Sequence, residues 1–316
     1  MADFVGPSNL PAPVQEFFNT GILSTPTPQM VHTLICRQDM MPEGAGVKMR
    51  YGRYNPLPTA MVPLDGFNDG PPVNLTRVDI DAQIKWYGQY GYVSEQVIIS
   101  NQDPVLNAFA LRFGVSLRQT EDQLVRDMLA TTLSSVDCTD GNNGDMPTQI
   151  AVGDIADAIS TLVNNNAWTI ESRVLPEMKM GTAPVRDAYI GIVNSNVIKD
   201  LENIDEFQPK WNYPRDADAH PAEWGAVRNL RVFVTSIGYA MAQASAKNAT
   251  VYKMFIAGLE SAGIVKQAGA TAQFLYRPRE FSGALMQSVT LGWKMASAQV
   301  VLDDLWVIAL NMTKKA

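Results

Sequence analysis

"YNPLPTAMVPLDGFNDGPPVNLT", residues 54–76, is the stretch that decides the fold. It contains five prolines and three asparagines but no cysteine, histidine or lysine. The sequences on both sides are typical of strands: "VKMRYGRY" at 47–54 and "TRVDIDAQIKWYGQYGYVS" at 76–94. In the second, polar residues alternate with apolar ones, which is the period of two of a strand: Val78, Ile80, Ala82, Ile84 and Trp86. The sequence therefore predicts a long hairpin that joins two strands.

A loop of this length needs a reason. Loops above about 15 residues inside a compact domain either serve a function or count against the assignment of the elements around them. Proline lowers the entropy cost of ordering such a loop and blunts its strand edges. Met61, Leu64 and Phe67 give the loop apolar tips. The loop is therefore suited to lie on another molecule.

Composition bounds the class of protein. The chain has 316 residues, 46% hydrophobic and 18% charged, enough apolar content for a sizeable core in one or two domains. No run of 18 apolar residues occurs, and the N-terminus lacks the basic and apolar regions of a signal peptide. We therefore expect the chain to fold in a cytoplasm, with no membrane partner and with Cys36 and Cys138 as free thiols.

Charge argues against sequence-specific DNA binding. The formal net charge is −7, and the 25 basic residues are scattered along the chain. A protein that grips nucleic acid usually carries a basic stripe. A mildly acidic surface is compatible with packaged nucleic acid nearby, because repulsion keeps the two from sticking together.

The strongest helix signal is "DPVLNAFALRFGVSLRQTEDQLVRDMLATTLSS", residues 103–135. Asp103 can cap its N-terminus, and Pro104 suits the first helical position. A helix of this length spans about 50 Å and exceeds the needs of a small core, so we expect it to act as a spine. Its apolar residues form one stripe at steps of three and four: Leu106, Ala110, Phe113, Leu117, Leu124 and Met128.

The remaining chain mixes helices and strands. Residues 1–45 are rich in proline, threonine and serine and are typical of an extended arm. A shorter helix is predicted at 152–167, capped by Asp154 or begun just before it. The last hundred residues are mostly strand-like, and the regular βαβ period is absent. The sequence therefore predicts an α+β fold.

The search for chemistry starts with two histidines. His32, in the arm, is interpreted as a surface or packing residue. "RDADAHPAEWG" brings Asp216, Asp218, His220 and Glu223 together, and a hard cation binds such mixed ligands, but a solvated acidic loop explains the same residues. The loop 137–149 resembles a calcium loop only in composition, because its spacing misses the pattern and turn propensity explains its residues equally well: Asp137, Asp140, Asn142, Asn143 and Asp145.

No catalytic motif stands out. The chain lacks the serine elbow, the phosphate-binding glycine loops and the zinc-binding helix motif. Asp303 and Asp304 are adjacent within an apolar strand-like run, so their side chains are expected to face opposite ways and cannot act as a pair. We expect no catalytic, metal or cofactor site, and hence a protein that is not an enzyme.

The C-terminal third carries a resemblance. "TVYKMFIAGLESAGIV" at 250–265 and "SGALMQSVTLGWKMASAQVVLDDLWVIALNM" at 282–312 resemble the end of major capsid proteins of tailed bacteriophages with the HK97 fold, closest to the podovirus-type group. The matching positions are Gly258, Gly263 and Gly292-Trp293-Lys294. "YGRYNPLPTAMVPLDG" and "IKWYGQYGYVSEQV" are similar to that family's hairpin, and the resemblance covers most of residues 45–312.

The resemblance implies an architecture. It consists of an N-terminal arm at 1–45, the extended hairpin and flanking strands at 46–95, a peripheral domain at 96–180 with returning strands from 250–316, and an axial domain at 181–249. Hairpin and arm would each lie across a neighbouring subunit. The implied contacts are Met61, Leu64, Asp65, Phe67, Pro71 and Pro72 in the hairpin, and Phe17, Phe18 and Ile22 in the arm.

The resemblance also implies a function. The chain would self-assemble into hexamers and pentamers of an icosahedral shell that encloses double-stranded DNA, contacted non-specifically, in the virion. Its other implied partners are a separate scaffolding protein, a portal and a decoration protein. Some relatives weld the shell with an isopeptide bond from a loop lysine; residues 54–76 contain none, and Lys48 and Lys85 lie near the loop's base, so we expect a non-covalent shell. Two alternatives stay open: an encapsulin-type compartment, and a metal-dependent hydrolase that uses residues 216–223.

Overall fold

The computed structural model describes residues 27–61, 72–100, 105–131, 134–169, 188–213, 220–242, 247, 250–278 and 287–315. Its helices are α1 (Glu95–Ser100), α2 (Val105–Ala130), α3 (Val152–Asn164) and α4 (Ile198–Glu202). Its strands are β1 (Cys36–Met41), β2 (Lys48–Tyr54), β3 (Arg77–Gln83), β4 (Lys85–Ser94), β5 (Ser135–Asp137), β6 (Tyr189–Asn194), β7 (Phe207–Pro209), β8 (Glu223–Val227), β9 (Leu230–Thr235), β10 (Ala240–Ala242), β11 (Thr250–Ala257), β12 (Ala262–Gln267), β13 (Gln273–Arg277), β14 (Ser288–Val301) and β15 (Val307–Thr313). The mixture confirms the α+β prediction.

The strands form two large sheets and one ribbon. The larger sheet has the order β5-β15-β11-β6-β9-β8-β7, with β10 paired to β11. The second has the order β1-β12-β14-β13, with β4 also paired to β14. The ribbon consists of β2 and β3. In the larger sheet, β6 pairs antiparallel with β11 and parallel with β9, so strands from distant parts of the chain share one layer.

Each face of the eight-stranded sheet is covered by a different helix. On one face, α3 packs Ile155 and Leu162 against residues of β6, β9, β11 and β15. On the other face, α2 packs Val125 and Leu129 against a cluster that includes Phe255. All six residues of β6 are buried, as expected for a strand covered on both sides.

Helix α2 also reaches the second sheet. Phe113 and Leu117, nearer its N-terminus, pack against Trp293 and Met295 of β14. The two halves of one helix are therefore buried against two different sheets, and the prediction of a spine helix is confirmed in its main part. Asp103 and Pro104 lie outside the described residues.

The predicted C-terminal end of this helix is wrong. Helix α2 ends at Ala130, 26 residues after it begins. The Thr131 hydroxyl donates to the Met128 carbonyl oxygen at 2.6 Å in the last turn. Residues 135–137 already form β5, which pairs parallel with β15. At residue 135, the last position of the predicted helix, sheet pairing therefore overrides the helical pattern.

Two predicted strand runs are also wrong in part. The run 76–94 is divided at Ile84, because β3 pairs with β2 whereas β4 pairs with β14. Asp303 and Asp304 do not lie in a strand: Asp304 begins a short 3₁₀ turn (Asp304–Trp306) between β14 and β15, and Asp303 precedes it as the N-cap. The Asp303 carboxylate there accepts the backbone N–H of Leu305 at 3.1 Å, which caps the turn.

Helix α3 begins at Val152, in agreement with a start just before Asp154. The Asp154 carboxylate accepts the backbone N–H groups of Ala151 at 3.0 Å and Thr139 at 2.9 Å. The first bond is the acidic half of a capping box, and the second ties the helix to the preceding loop.

His32 is a core residue. It lies in a 3₁₀ turn (His32–Ile35) just before β1, and its side chain is fully buried. The Nδ1 atom lies 2.7 Å from Oδ2 of Asp122 in α2, and the backbone N–H of His32 donates to Oδ1 at 2.8 Å. One buried carboxylate therefore holds both the ring and the backbone of His32, and joins the start of β1 to the spine.

Replacement of Asp122 by alanine should destabilise the subunit by about 3 kcal/mol, because it leaves buried donors of His32 without a partner. Asp127→Ala, at an exposed position on the same helix, should change the free energy of unfolding by less than about 0.5 kcal/mol. Urea unfolding of the two variants and the wild-type subunit measures the difference. Equal stability of the two variants would contradict the role assigned to the buried pair.

Both cysteines are free, as predicted. Burial, aided by the charges of Asp122 and Glu121, raises the pKa of Cys36 to about 12. Burial also raises the pKa of Cys138, with Asp154 adding to the effect.

The two thiols should be almost inert in the folded protein. With a pKa of about 12, about one Cys36 in ten thousand is ionised at pH 8, and only the thiolate reacts with disulfide reagents. Titration with Ellman's reagent at pH 8 should detect both thiols only after denaturant is added. If one thiol per chain reacted rapidly in the native protein, that cysteine side chain would be accessible to the reagent.

Candidate assembly surfaces

The hairpin is paired from Lys48 to Asn55 on one side and from Thr76 to Gln83 on the other. Strands β2 and β3 are antiparallel, with Lys48 opposite Gln83 at one end and Tyr54 opposite Arg77 at the other. One further pair of residues extends it, since the backbone N–H of Asn55 donates to the carbonyl oxygen of Thr76 at 3.0 Å. The predicted hairpin is confirmed, and its paired part projects over about 23 Å.

One face of the hairpin is docked on its own subunit. Met49, Tyr51, Ala82 and Ile84 belong to a core cluster that is shared with the five-stranded sheet. From that sheet the cluster takes Met41, Val265, Ala270, Ala296, Ala298 and Val300.

Two polar contacts lie further along the hairpin. The Tyr51 hydroxyl donates to Asp39 of β1 at 2.7 Å. The Arg53 guanidinium pairs with Asp303, beyond the end of β14. The base of the hairpin is therefore fixed, and its far end is directed past Asp303.

The far end of the hairpin exposes apolar side chains. Met61 is 87% exposed, and Pro72 is also exposed. Leu57, Val73 and Leu75, in the same two segments of the chain, are also exposed. Contiguous exposed apolar groups mark interaction sites more often than chance. The far end of the hairpin is therefore free to contact another molecule.

Most of the predicted contact residues cannot be placed. Leu64, Asp65, Phe67 and Pro71 of the hairpin lie outside the described residues, as do Phe17, Phe18 and Ile22 of the arm. Contact of these seven residues, and of Met61 and Pro72, with a neighbouring subunit stays a prediction.

A second exposed surface was missed by the sequence reasoning. Trp86, Tyr90 and Tyr92 of β4 are 57%, 66% and 66% exposed and share one face of the five-stranded sheet. Leu275 of β13, opposite Gly292, is exposed on the same face. The alternation of aromatic residues from 86 to 92 was the available signal. Trp86 belongs to the same alternating set as Ala82 and Ile84, but it is exposed whereas they are buried, and the strand changes partner at Ile84.

Two positions on this surface, Gly88 and Gly292, carry no side chain. A Cβ atom on Gly292 would lie 2.9 Å from the carbonyl oxygen of Gln89 and 3.0 Å from the Cβ of Tyr90. A Cβ atom on Gly88 would lie 2.8 Å from the carbonyl oxygen of Trp293. The close approach of β4 and β14 therefore requires glycine at both positions. We call this surface the aromatic face: Trp86, Gly88, Tyr90, Tyr92, Leu275 and Gly292.

The glycine–tryptophan–lysine motif now has a structural reason. Gly292 is opposite Tyr90 in the register of β14 and β4. Trp293 points the other way and is buried against α2. Lys294 is opposite Gly88 on the aromatic face, and its ammonium makes a cation–π contact 5.7 Å from the ring centroid of Trp86.

In the acidic segment 216–223, the described residues Glu223 and His220 use their polar groups within the subunit. The Glu223 carboxylate is buried and accepts from Arg231 at 2.9 Å and from the Tyr213 hydroxyl at 3.1 Å. The His220 Nδ1 atom accepts the backbone N–H of Ala222 at 3.1 Å. Asp216 and Asp218 lie outside the described residues. Within the described ranges, no three or more His, Cys, Asp or Glu residues are placed to hold a metal ion.

The loop 137–149 uses its polar groups on its own subunit. Asp137 accepts the side-chain amide of Asn311 at 2.6 Å, and the Asn143 amide donates to Thr313 at 2.8 Å. Asp145 accepts the backbone N–H of Lys247 at 2.6 Å. These bonds join the loop to β15 and to residue 247, in agreement with a structural turn.

Comparison with known proteins gives the family. A model of the phage capsid protein family matches residues 77–283, which is more than half of the chain. No curated protein sequence matches the chain. Among the helices in the described part of the chain, none is long and apolar enough to cross a membrane.

Solved capsid structures share the fold. The capsid of Ralstonia phage GP4 is similar with a TM-score of 0.71 at 10% identity, over 100% of this chain and 99% of that one. The head of Helicobacter pylori bacteriophage KHP40 gives 0.67 at 11% identity, over 99% and 98%. The capsid of cyanophage P-SCSP1u gives 0.66 at 13% identity, over 95% and 93%.

These comparisons favour neither an encapsulin-type compartment nor a hydrolase. The chain belongs to the phage capsid protein family, has the HK97-like fold, and is a major capsid protein that forms the shell of the virion.

Proposed function

We propose that this capsid protein forms hexamers and pentamers of an icosahedral shell around double-stranded DNA, and that each subunit grips a neighbour with its hairpin. The observation that carries the proposal is the contrast along the hairpin. Its base is buried on its own subunit, whereas Leu57, Met61, Val73 and Leu75 at its far end are exposed. A projection of this kind supports head-to-tail contacts, which close into rings when the rotation fits.

The grip involves Met61, Leu64, Asp65, Phe67, Pro71 and Pro72, and the arm adds a second contact through Phe17, Phe18 and Ile22. A hairpin held by its base loses little conformational freedom when its end docks, so more of the contact energy appears as affinity. Each subunit should bury several thousand Å² in total, at the obligate end of interface sizes.

The domains divide the work of assembly. The arm (1–45) and the hairpin region (46–95) reach neighbours, the peripheral domain (96–180 and 250–316) carries the spine, and the axial domain (181–249) clusters around the symmetry axes. Strands β11 and β15 pair with each other, and β11 also pairs with β6, which supports one layer shared by the peripheral and axial parts.

The role of the chain is structural, without catalysis. A separate scaffolding protein guides assembly in the host cytoplasm, a portal occupies one vertex, and a decoration protein is a further candidate partner. The net charge of −7 supports packaged DNA that lies near the shell without binding tightly to it, because an acidic surface repels DNA.

Met61→Asp should abolish shell formation while the subunit stays folded, because a charge replaces an exposed apolar contact of the grip. Met146→Asp is the matched control, since Met146 is 61% exposed away from the hairpin. Light scattering and negative-stain microscopy should show at least about a tenfold loss of shells for Met61→Asp alone. Removal of residues 60–72 should have the same effect, and full-size particles from that deletion would overturn the grip.

The shell should be non-covalent. Residues 54–76 contain no lysine, and Lys48 and Lys85 flank the base of the hairpin instead of its end. Denaturing electrophoresis of purified particles should give a single band near 34.7 kDa. A ladder of linked rings would contradict this expectation.

A further inference from the structure

We propose that the aromatic face is the acceptor for the proline-rich end of a neighbouring copy's hairpin, residues 55–61 and 72–76. The inference rests on the proposed grip and adds two things to it: the surface on which the hairpin end lies, and the chemistry that recognises it.

The acceptor has the features of a surface that binds proline-rich segments. Such segments dock between exposed aromatic rings, and their extended backbone approaches the floor closely. Tyr90 and Tyr92 already form an edge-to-face pair with ring centroids 5.4 Å apart, so this part of the surface is pre-organised. Trp86 lies about 13 Å along the strand from Tyr90. Between them β4 carries only Gly88, and Lys294 of β14, opposite Gly88, has its ammonium against the Trp86 ring. The distance between Trp86 and Tyr90 matches about four residues of a polyproline helix.

The donor has the complementary features. Pro56 and Pro58 alternate with exposed Leu57 in a segment that is not part of a strand. Proline has no N–H to donate, so this segment is poorly suited to extend a sheet edge and well suited to contacts through its side chains. Pro72 and Val73, also exposed, follow on the returning side of the loop. Recognition by ring stacking therefore suits the donor better than strand addition does.

The geometry requires that donor and acceptor belong to different copies. The hairpin rests on Ala296 and Ala298, contacts Asp39 of β1, and pairs with Asp303 near its far end. The aromatic face lies along β14 residues 290–296 and β13, on the opposite side of Ala298 from Asp303. The hairpin of one subunit therefore points away from its own aromatic face. Donor and acceptor at opposite ends of one sheet give a head-to-tail contact.

Disulfide capture between two proteins tests the contact. Shells assembled from an equal mixture of Met61→Cys and Leu275→Cys subunits should give disulfide-linked dimers under mild oxidation. The control mixture contains Met61→Cys and Tyr276→Cys, since Tyr276 is 60% exposed on the opposite face of the same strand. Dimer yield should be at least about tenfold higher with Leu275→Cys. Wild-type shells, whose thiols are native Cys36 and Cys138, should give none.

Three results would overturn the proposal. One is the absence of dimers in shells that form normally, and another is an equal yield with Tyr276→Cys. The third is a double variant, Met61→Cys with Leu275→Cys, that links only within one chain.

A second pair of variants separates this proposal from the grip itself. Tyr90→Ser with Tyr92→Ser should lower shell yield at least about tenfold while the subunit stays folded, because both rings are largely exposed in the free subunit. Tyr276→Ser should assemble normally. If Met61→Asp abolishes shells while the double tyrosine variant assembles, the grip stands and the acceptor is elsewhere. Normal shells that have lost a separate bound protein would assign the face to that protein.

Discussion

Helix α2 is the element on which the rest of the subunit depends, because it is buried against two sheets at once. Phe113 and Leu117 pack on the sheet that carries the hairpin, and Val125 and Leu129 pack on the eight-stranded sheet. Both sheets are thereby held on one rigid rod about 39 Å long. The buried carboxylate of Asp122, between these two contacts, fixes the start of β1 as well. A shell subunit needs such rigidity, because a contact with a neighbour at one end of the subunit must fix the position of its opposite end.

The exposed surfaces follow from the same construction. The docked hairpin covers Ala296 and Ala298 but leaves the aromatic face uncovered beyond them. The close approach of β4 and β14 excludes side chains at Gly88 and Gly292. Lys294, opposite Gly88, is the residue of β14 between the rings, and its ammonium lies beside Trp86. Exposed rings are costly in water, and a free subunit retains that cost. Burial in an assembly removes it, which makes the surface a source of association energy.

The sequence predicted the parts that depend on local pattern. Period-two alternation and prolines predicted the hairpin, and a helical stripe predicted most of α2. The parts that it missed depend on partners distant in the chain. Strand pairing changes at Ile84, from β3 with β2 to β4 with β14, while the alternation continues, so the pattern alone does not show that Trp86 is exposed. His32 and Asp122 are ninety positions apart, and no local pattern joins an arm residue to a helix carboxylate. The aromatic face requires the register of β4, β14 and β13, which only the folded sheet defines.

The arrangement also explains why a subunit does not bury its exposed apolar groups against its own surface. A hairpin that folded back onto its own aromatic face would have to reverse direction after Asp303, and its docked base prevents this. Met49, Tyr51, Ala82 and Ile84 would have to leave the core for the hairpin to turn, which would cost several kcal/mol of burial. The apolar ends can therefore be buried only between subunits. Anchoring at the base and exposure at the end are consequently two aspects of one constraint: the stability of the subunit's own core excludes the self-contact that would compete with the shell.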